Sequence, residues 1–594
     1  MKKGLYKKIP ILYAIKQCYQ YAPGLSGLQT LFSLLGGILP SLMVYVVSMF
    51  INAALSIISD APEYHALIFS AGMILLYYIF THVSDVVERY TTNMIQNALL
   101  TKYKPVMVEK IASYQYEWLE DREIQDLTQR MFDNMESYFT TILRELNTAV
   151  SLIVQTIGIL IILALQTWWL VLIFVVIFCP LLFLSFKGGV KIYETDQRAT
   201  MLTRVIKYLS DILTNRQSAP ERILFGYTKK VNEKFAASHL ERSNINTEAI
   251  AREEIKTKLC IILLNIFLVV CLIVLLGNIQ NGVLSGGLYV SIIGSIKTLV
   301  RSSAVSLSRI TINISSHMAF MKDFLRFVSL EGDYEFLHFT SKKVAFQKIE
   351  IKDLSFRFPG SEQYVLDHVN MVFENGKSYA LIGLNGAGKT TLTRILTGLY
   401  TDYEGEILID GKEQRYYDRD YLRNLFSIVY QDFAKYPLTV RDNITLNEDS
   451  ADLSAVVQMA GLDNVIKGLP DGLDTRLGKL EEDGVDVSGG EWQKIAIARA
   501  LHKGCPFIIM DEPTASLSPT MESALYKQVA DISKERTILF ISHRLGSTKI
   551  SDIIYVLAGG KVVETGSHQE LMELAGLYAK MFDSQKEWYT DEQD

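Results

Sequence analysis

The chain reads Gly383-Leu-Asn-Gly-Ala-Gly-Lys-Thr390 after the strand-like run Tyr379–Ile382 and before a stretch of helical character, Thr391–Leu399. This is the pattern GxxxxGK[ST], in the strand-to-helix context that a phosphate-binding loop requires. The glycines let backbone N–H groups turn inward around phosphates, the lysine reaches the β- and γ-phosphates, and the threonine hydroxyl suits Mg²⁺. A chance glycine-rich turn with a surface lysine is the competing interpretation, and the flanking strand and helix disfavour it.

An acidic pair follows another strand-like run downstream. Phe507–Met510 is apolar and leads into Asp511 and Glu512. A carboxylate at the end of a strand beside a phosphate loop can hold Mg²⁺ through water, and we assign this role to Asp511. Glu512 is then free to polarise an attacking water as a general base. An apolar run followed by Asp-Glu is weak evidence alone, but it is strong evidence together with the upstream loop.

A second anion-seeking feature lies between the loop and the acidic pair. Val487-Ser-Gly-Gly-Glu491 precedes Trp492–Ala500, which has helical character. A serine hydroxyl, exposed glycine N–H groups and a helix N-terminus together form a site for a phosphate. The chain therefore has one phosphate loop and one separate phosphate-seeking helix start, and sequence spacing leaves open whether they meet.

The composition divides the chain into two unlike parts. Its 594 residues predict two or three domains. Long apolar runs continue to about residue 330, and after about residue 345 the pattern is that of a soluble domain. A net charge of -6 with no basic block argues against a nucleic-acid binder. The five cysteines are scattered and lack the spacing of metal ligands.

Six stretches of the first part are apolar enough to cross a bilayer, which requires about 20 residues each. A tight turn near Gln166–Trp168 separates the third stretch from the fourth. The predicted fold is a multidomain membrane protein, in which a six-helix all-α transmembrane domain precedes an α/β P-loop nucleotide-binding domain. The six stretches are 26–55, 66–88, 144–166, 168–187, 257–278 and 284–306.

Lysine and arginine collect on one side of these spans. They precede the first span and follow the second and fourth, whereas the opposite connections contain neither residue. The positive-inside rule then places both termini and the nucleotide-binding part in the cytoplasm, for a multi-pass protein of the plasma (inner) membrane. The two long connections, 89–143 and 188–256, are too polar to span the bilayer and are predicted to extend into the cytosol as helices.

Three polar residues lie within the predicted spans: Gln155, Asn265 and Lys297. Because lipid penalises such groups, we expect them to face a cavity or another helix. Hydrogen bonding between helices, or snorkelling in the case of Lys297, is favoured over contact with a transported molecule.

The whole chain resembles a half-transporter of the ATP-binding cassette (ABC) exporter family, of the type IV kind. The resemblance rests on six spans followed by one cassette, and on an ordered set of cassette motifs. These motifs are the adenine-stacking aromatic Phe358, the Walker A residues Gly383, Asn385, Gly386, Gly388, Lys389, Thr390 and Thr391, the Q-loop Gln431, the signature residues Ser488, Gly489, Gly490 and Glu491, the Walker B Asp511, the catalytic Glu512 and the switch His543.

The resemblance implies that two cassettes face head to tail, with each ATP held between the Walker A loop of one and the signature of the other. Thr390, Gln431 and Asp511 are the implied Mg²⁺ ligands, and ATP binding and hydrolysis drive alternating access. A lone glutamine or histidine is more often structural than catalytic, so Gln431 and His543 gain support only from their order in the motif set. Phe358 is either a core residue or the residue that stacks on adenine, and stacking is favoured.

Three positions depart from the family pattern. Glu491 stands where the signature usually has glutamine, Val487 where it has leucine, and Ser518 where an aspartate follows the catalytic glutamate. That aspartate normally helps two cassettes communicate, and its loss occurs in asymmetric heterodimers. Because Lys389 and Glu512 are present with the other catalytic residues, an active homodimer is favoured over a heterodimer.

The segment 430–444 and the Glu-Trp-Gln-Lys after the signature are similar to the corresponding segments of exporters of lantibiotics and related modified peptides. A modified peptide, or another amphipathic molecule, is therefore the favoured cargo. A lipid flippase and a multidrug efflux pump stay open as alternatives, and a membrane-tethered regulatory ATPase is less favoured. The predicted domains are a transmembrane domain over 1–330, a linker over 331–348, a cassette over 349–585 and an acidic tail over 586–594.

Overall fold

The structure, a computed structural model, describes residues 10–58, 63–216, 218–302, 308–330, 332, 342–446, 452–479, 484–512, 536–542 and 545–590. The chain divides into two compact units. Unit 1 comprises Met1–Ile111 and Arg122–Glu331, and unit 2 comprises Ala112–Asp121 and Gly332–Asp594. A short segment from within the helical first half therefore belongs to the second unit.

Unit 1 is helical throughout its described regular elements. Its apolar runs favour helices because a helix satisfies every backbone hydrogen bond within the segment. In chain order the first half contains α1 (Ile11–Tyr21), α2 (Pro23–Ile58), α3 (Tyr64–Ala98), the π-helix Leu99–Tyr103, α4 (Lys104–Ala112), α5 (Tyr116–Glu120, in unit 2), α6 (Arg122–Arg198), α7 (Thr200–Thr214), α8 (Ala219–Phe225), α9 (Thr228–Gln280), α10 (Gly286–Ser302) and α11 (Ser308–Ser329).

Four stretches of helix in the described residues are long and apolar enough to cross a membrane: Pro23–Ile57, Tyr64–Ala112, Glu123–Leu184 and Thr228–Gln280. The third contains two of the six predicted spans, and its helix breaks at Thr167, with φ -158° and ψ 88°, where the sequence predicts a tight turn. The sixth predicted span begins in α10 and continues into residues outside the described part of the chain. Unit 1 is thus the all-α part of a multidomain membrane-type fold.

Glycines let two pairs of helices in unit 1 approach closely. A Cβ atom on Gly158 of α6 would lie 2.2 Å from the Ser41 hydroxyl oxygen of α2. A Cβ atom on Gly287 of α10 would lie 2.4 Å from the Ser48 carbonyl oxygen of α2. Such small residues allow the backbone contact that holds helices together where lipid removes the hydrophobic effect.

The three polar residues of the predicted spans differ in their surroundings. Gln155 is buried, whereas Asn265 and Lys297 are exposed. The Asn265 amide donates to the carbonyl oxygen of Ile261 in the same helix, at 2.9 Å. This differs from the expected bond to another helix, because the carbonyl one turn back is already within reach of the side chain.

Unit 2 has an α/β core built on two sheets. The larger sheet has strand order β10-β9-β3-β8-β7-β6, and the smaller, antiparallel sheet has order β2-β1-β4-β5. The larger sheet is parallel from β6 to β9, and only β10 pairs antiparallel. The strands are β1 (Lys348–Phe356), β2 (Leu366–Glu374), β3 (Ser378–Ile382), β4 (Glu404–Ile409), β5 (Lys412–Glu413), β6 (Phe426–Val429), β7 (Phe507–Asp511), β8 (Thr537–Ile541), β9 (Ile553–Ala558) and β10 (Lys561–Gly566).

Helices flank these strands. They include α12 (Lys389–Leu396), α13 (Arg419–Leu425), α14 (Val440–Thr445), α15 (Ser454–Met459), α16 (Asp463–Gly468), α17 (Gly489–His502), α18 (His568–Glu573) and α19 (Leu577–Thr590). Strands β3, β7 and β8 are buried along their whole length, as is typical of parallel strands covered on both faces. Their carboxyl ends meet at one edge of the sheet, where ligands of such folds bind.

Candidate functional site

The loop from β3 to α12 depends on its glycines. Gly386 and Gly388 have φ values of +81° and +102°, which side chains rarely adopt. A Cβ atom on Gly388 would also lie 2.8 Å from Leu366 Cδ2, and one on Gly383 would lie 2.2 Å from the Leu557 carbonyl oxygen. No side chain caps α12, whose first N–H groups therefore remain available to an anion.

Lys389 begins α12 and is held inside the loop. Its ammonium donates hydrogen bonds to the carbonyl oxygens of Gly383, at 2.7 Å, and Leu384, at 3.2 Å. Burial lowers the pKa of Lys389, while the carboxylates of Glu512 and Asp511 act in the opposite direction. The loop lysine and the acidic pair are thus close enough to interact electrostatically.

Asp511 ends β7 with only 4% of its surface exposed. Burial, and next the neighbouring Glu512, raises the pKa of Asp511 to about 6, and Lys389 opposes this rise. The Thr390 side chain also lowers the pKa of the Asp511 carboxyl, through hydrogen bonding. Two predicted Mg²⁺ ligands are therefore close enough to interact, and their oxygen donors are of the kind that this hard cation prefers.

Glu512 has a strained backbone. Its φ is +47°, although it is not glycine, and its N–H donates to the carbonyl oxygen of Ile541 at 2.9 Å. Such a conformation costs on the order of 1–3 kcal/mol and persists where the surrounding structure imposes it, commonly at functional sites. The bond between β7 and β8 fixes Glu512 directly beyond the buried Asp511.

Gln431 lies one residue after Tyr430, beyond the end of β6. This strand pairs with β7 through Val429 and Met510, so Gln431 and Asp511 follow the ends of adjacent strands. Burial raises the pKa of Tyr430, and the charge of Asp511 acts in the same direction. Gln431 itself is exposed, and its catalytic and metal-binding roles stay predictions.

The signature residues form the start of α17. Ser488 accepts a hydrogen bond from the Glu491 N–H at 3.3 Å, and the Glu491 carboxylate accepts one from the Ser488 N–H at 2.7 Å. This reciprocal pair is a capping box, for which glutamate and glutamine are equally suitable. Ser488 and Gly489 are exposed, and Gly490 and Glu491 are partly exposed, so this helix start is accessible to a partner.

Phe358 lies beside a cavity of about 660 Å³ in unit 2. It is 37% exposed, and its ring packs edge-on against Phe356, with ring centres 5.3 Å apart. The ring of Tyr400 is also edge-on to Phe358, at 6.1 Å. Phe358 is thus packed on one side and open on another, which leaves room for stacking on a base.

Some predicted residues are not at this edge, or not described. His543 and Ser518 lie outside the described residues, although the chain places His543 two residues after β8. Thr391 is buried within α12, whereas Asn385 is exposed in the loop. Sequence reasoning missed Tyr400, which contacts residues about 280 positions earlier in the chain. No periodicity or motif signals a contact of that range.

The fold and this site define a P-loop nucleotide-binding domain fused to a set of apolar, membrane-type helices. Residues 366–515 match the family model described as ABC transporter. In overall structure the chain is similar to a bacterial Atm1-family ABC exporter with ATP bound. The TM-score is 0.72 at 20% identity, and the match covers 94% of this chain and 98% of the other.

Relatives are known by sequence as well. The chain is 26% identical to the subtilin transport ATP-binding protein of Bacillus subtilis, over 93% of this chain and 90% of the relative. It is 28% identical to the nisin transport ATP-binding protein of Lactococcus lactis, over 80% and 78% of the two chains. It is 29% identical to the ATP-dependent lipid A-core flippase of Photobacterium profundum, over 64% and 66%.

The chain is therefore an ABC exporter subunit: an ATP-binding, ATP-hydrolysing transport protein that crosses the plasma membrane several times. ABC exporters of this half-transporter architecture work as dimers. One chain accordingly supplies one of the two cassettes of the dimeric transporter.

Proposed function

We propose that this subunit exports a modified peptide of the lantibiotic kind. The observation that carries the proposal is the extent of the match to the subtilin transport protein, which covers nearly the whole of both chains. Such a match includes the apolar helices, where a cargo is handled, as well as the cassette. The nisin transport protein, also matched over most of its length, supports the same class of cargo.

A lipid flippase is the second candidate. The match to the lipid A-core flippase favours it, but that match covers about two thirds of each chain. Since cassettes hydrolyse ATP whatever the cargo, similarity extending across the membrane part bears more directly on what is moved. A peptide cargo is therefore preferred to a lipid.

For hydrolysis, each residue takes the role that its surroundings support. Lys389 binds the β- and γ-phosphates, and the loop N–H groups surround them. Thr390 and Asp511, which interact electrostatically, would hold Mg²⁺ together with Gln431, and the bound ion would neutralise charge on the phosphate oxygens. Glu512, held beyond β7, orients and deprotonates the attacking water. His543, which lies outside the described residues, is assigned to the γ-phosphate by its place in the motif order alone.

The assembly follows from the same residues. The exposed start of α17 at Ser488 binds the ATP that the Walker A loop of a second half-transporter holds. A homodimer is preferred to a heterodimer because each chain has its own Lys389, Asp511 and Glu512.

The distribution of lysine and arginine supports cytoplasmic termini and a cytoplasmic cassette. We assign residues 1–330 to the transmembrane domain, 331–348 to a linker, 349–585 to the cassette and 586–594 to the tail.

The catalytic assignments make a direct prediction. Lys389→Ala removes the positive charge that faces the phosphates and abolishes ATP hydrolysis and binding. Glu512→Gln removes the base but keeps its shape, so ATP binds and remains unhydrolysed, which traps a closed dimer. ATPase rates and retention of labelled ATP distinguish the two effects. Lys377→Ala is a matched control, because this exposed lysine pairs with Glu374 away from the loop; equal losses in all three variants contradict the assignment.

The cargo is tested with purified subunit in liposomes. A lantibiotic precursor should stimulate ATP hydrolysis and appear in the lumen of vesicles whose cassettes face outward. Lys389→Ala vesicles provide the background. Stimulation by lipid A or by cationic drugs, but not by the peptide, would show that the cargo is a lipid or a drug instead. An ATPase rate that no candidate changes would favour a regulatory ATPase.

A further inference from the structure

The segment Ala112–Asp121 belongs to unit 2, although its chain neighbours on both sides are helices of unit 1. Its short helix α5 contacts α12 and the residues that follow it. The Glu120 carboxylate accepts a hydrogen bond from Arg394 of α12 at 2.7 Å, and one from Tyr116 at 2.9 Å. The hydroxyl of Tyr400 also donates to Glu120. The Glu120 carboxylate thus accepts hydrogen bonds from three side chains.

Tyr400 is held from several sides. It is 3% exposed, and the Arg394 guanidinium lies 3.4 Å from its hydroxyl oxygen. Its ring packs edge-on against Tyr116, with ring centres 5.7 Å apart. Burial, followed by the bond to Glu120, raises the pKa of Tyr400, so its hydroxyl remains a donor at neutral pH. Both its ring and its hydroxyl are therefore fixed.

The same ring reaches the aromatic pair at the end of β1. Its centre lies 5.1 Å from that of Phe356 and 6.1 Å from that of Phe358. The Tyr400 ring is tilted by 31° to that of Phe356 and is edge-on to that of Phe358, and aromatic contacts at these separations orient the rings with respect to one another. Among the described aromatic contacts, Phe358 is held by Phe356 and Tyr400 only, and part of its side chain stays exposed.

These contacts border the cavity of about 660 Å³. Phe356, Phe358 and Tyr400 line it, and so do Glu117 and Glu120 of α5. A purine stacked on the open face of Phe358 would therefore lie in a space that residues of Ala112–Asp121 help to enclose.

We propose that Tyr400 is a positioning residue for the nucleotide base: fixed by Glu120 and Arg394, it holds the Phe358 ring in the orientation on which adenine stacks. The proposal rests on the proposed function, ATP hydrolysis by the cassette, and on the adenine-stacking role that the motif order predicts for Phe358. The base end of the site then depends on Ala112–Asp121, whereas the phosphate end depends on the loop at Lys389.

The proposal predicts that substitutions at Tyr400 affect binding of the base of ATP but not binding of its phosphates. Loss of the Tyr400 hydroxyl removes the bond to Glu120, so the ring is held by packing alone and orients Phe358 less firmly; base stacking weakens, while the phosphate loop and Glu512 are unchanged. Tyr400→Phe preserves the ring volume, and Glu120 keeps its bonds to Arg394 and Tyr116, so no buried charge is left without a partner. The variant is accordingly expected to fold.

The test measures steady-state ATPase of the full-length protein in detergent or liposomes. Tyr400→Phe and Glu120→Gln should each raise KM for ATP roughly three- to ten-fold, the effect of losing one typical hydrogen bond, with kcat within about two-fold of wild type. Inorganic tripolyphosphate, which has no base, should inhibit the variants and the wild type equally. Tyr417→Phe is the matched control, because this hydroxyl donates to the carbonyl oxygen of Ile409 elsewhere in unit 2.

Each other result overturns the proposal. An unchanged KM in Tyr400→Phe does so, as does a lower kcat at unchanged KM or an equal change in tripolyphosphate inhibition, since both would indicate a general structural effect. Phe358→Ala separates this proposal from the one on which it rests. If Phe358→Ala leaves KM unchanged, the base-stacking assignment itself fails; if it raises KM while Tyr400→Phe does not, only the role of Tyr400 fails.

Discussion

Asp511 shows how one buried carboxylate links the site to stability. Burial and Glu512 raise its pKa in the folded chain from 3.8 to about 6. Between those values the folded chain binds a proton that the unfolded chain has released, so the free energy of unfolding falls as pH rises through this window. The ionised Asp511 lowers the free energy of unfolding by on the order of 2–3 kcal/mol, and this loss is complete above about pH 6.

We therefore expect Asp511→Asn to stabilise unit 2 at pH 8 in the absence of nucleotide and Mg²⁺, by on the order of 2 kcal/mol. The gain should shrink as pH falls below 6, while Mg²⁺-dependent ATPase is lost at every pH. Urea unfolding followed by tryptophan fluorescence measures the difference. Asp452→Asn is the control, because that exposed carboxyl has a pKa lowered by Ser454. A gain that does not vary with pH would contradict the account.

Residues of the site were predictable where a short motif carries their chemistry. The positions of Lys389 and Asp511 were predictable in this way, because a glycine loop and a strand end place them within a few residues. Tyr400 was not, because the role that we propose for it rests on contacts with Glu120 and Phe358, which are distant from it in sequence. Side-chain contacts between distant segments depend on the folded arrangement of the elements, and no local pattern encodes them.

At the scale of elements, two helices of unit 2 begin with the same N-terminal capping motif. Ser488 caps α17 and Ser567 caps α18, each in a capping box with a glutamate three residues on. Removing either hydroxyl should cost about 1 kcal/mol of stability, since an N–H group of the first turn loses its acceptor. Only Ser488 is assigned to the ATP of a partner cassette.

Ser488→Ala and Ser567→Ala should therefore lower the melting temperature similarly but differ in activity. Ser488→Ala removes a donor to the γ-phosphate and should reduce ATPase about ten-fold or more. Ser567→Ala should leave it near the wild-type rate. Thermal unfolding and ATPase assays on the same preparations give both quantities. An equal loss of activity in both variants would mean that helix capping, and not phosphate binding, explains the role of Ser488.

The two strands that the sequence predicts next to the site motifs match the structure within one residue. The strand predicted at 379–382 lies in β3 (Ser378–Ile382), and the one predicted at 507–510 lies in β7 (Phe507–Asp511). The helix after the loop begins at Lys389, two residues before the expected start, because Gly388 in the left-handed region serves as its N-cap. The π-helix Leu99–Tyr103 had no sequence signal. Tyr103 is buried there against Tyr21 and Phe139, so distant contacts accompany the irregularity.

For the whole molecule, a composite site makes a prediction about mixed dimers. Take one chain with Lys389→Ala and another with Ser488→Arg, each inactive alone. If every ATP lies between the loop of one chain and the signature of the other, a mixed dimer pairs the intact loop with the intact signature. Random assembly should then restore about a quarter of the wild-type ATPase rate, since half of the dimers are mixed and each has one intact site of two.

The matched control separates sites shared between chains from sites within one chain. A chain with both Lys389→Ala and Ser488→Arg is mixed with wild type at equal amounts. In a shared arrangement every mixed dimer has two broken sites, so only the wild-type dimers contribute, about a quarter of the full rate. In an arrangement within one chain, each wild-type chain keeps its own site and about half of the rate remains, while the first mixture recovers nothing. The two mixtures therefore distinguish shared sites from sites within one chain. Restored activity in the first mixture would also establish that two copies of this chain suffice and that no different partner is needed.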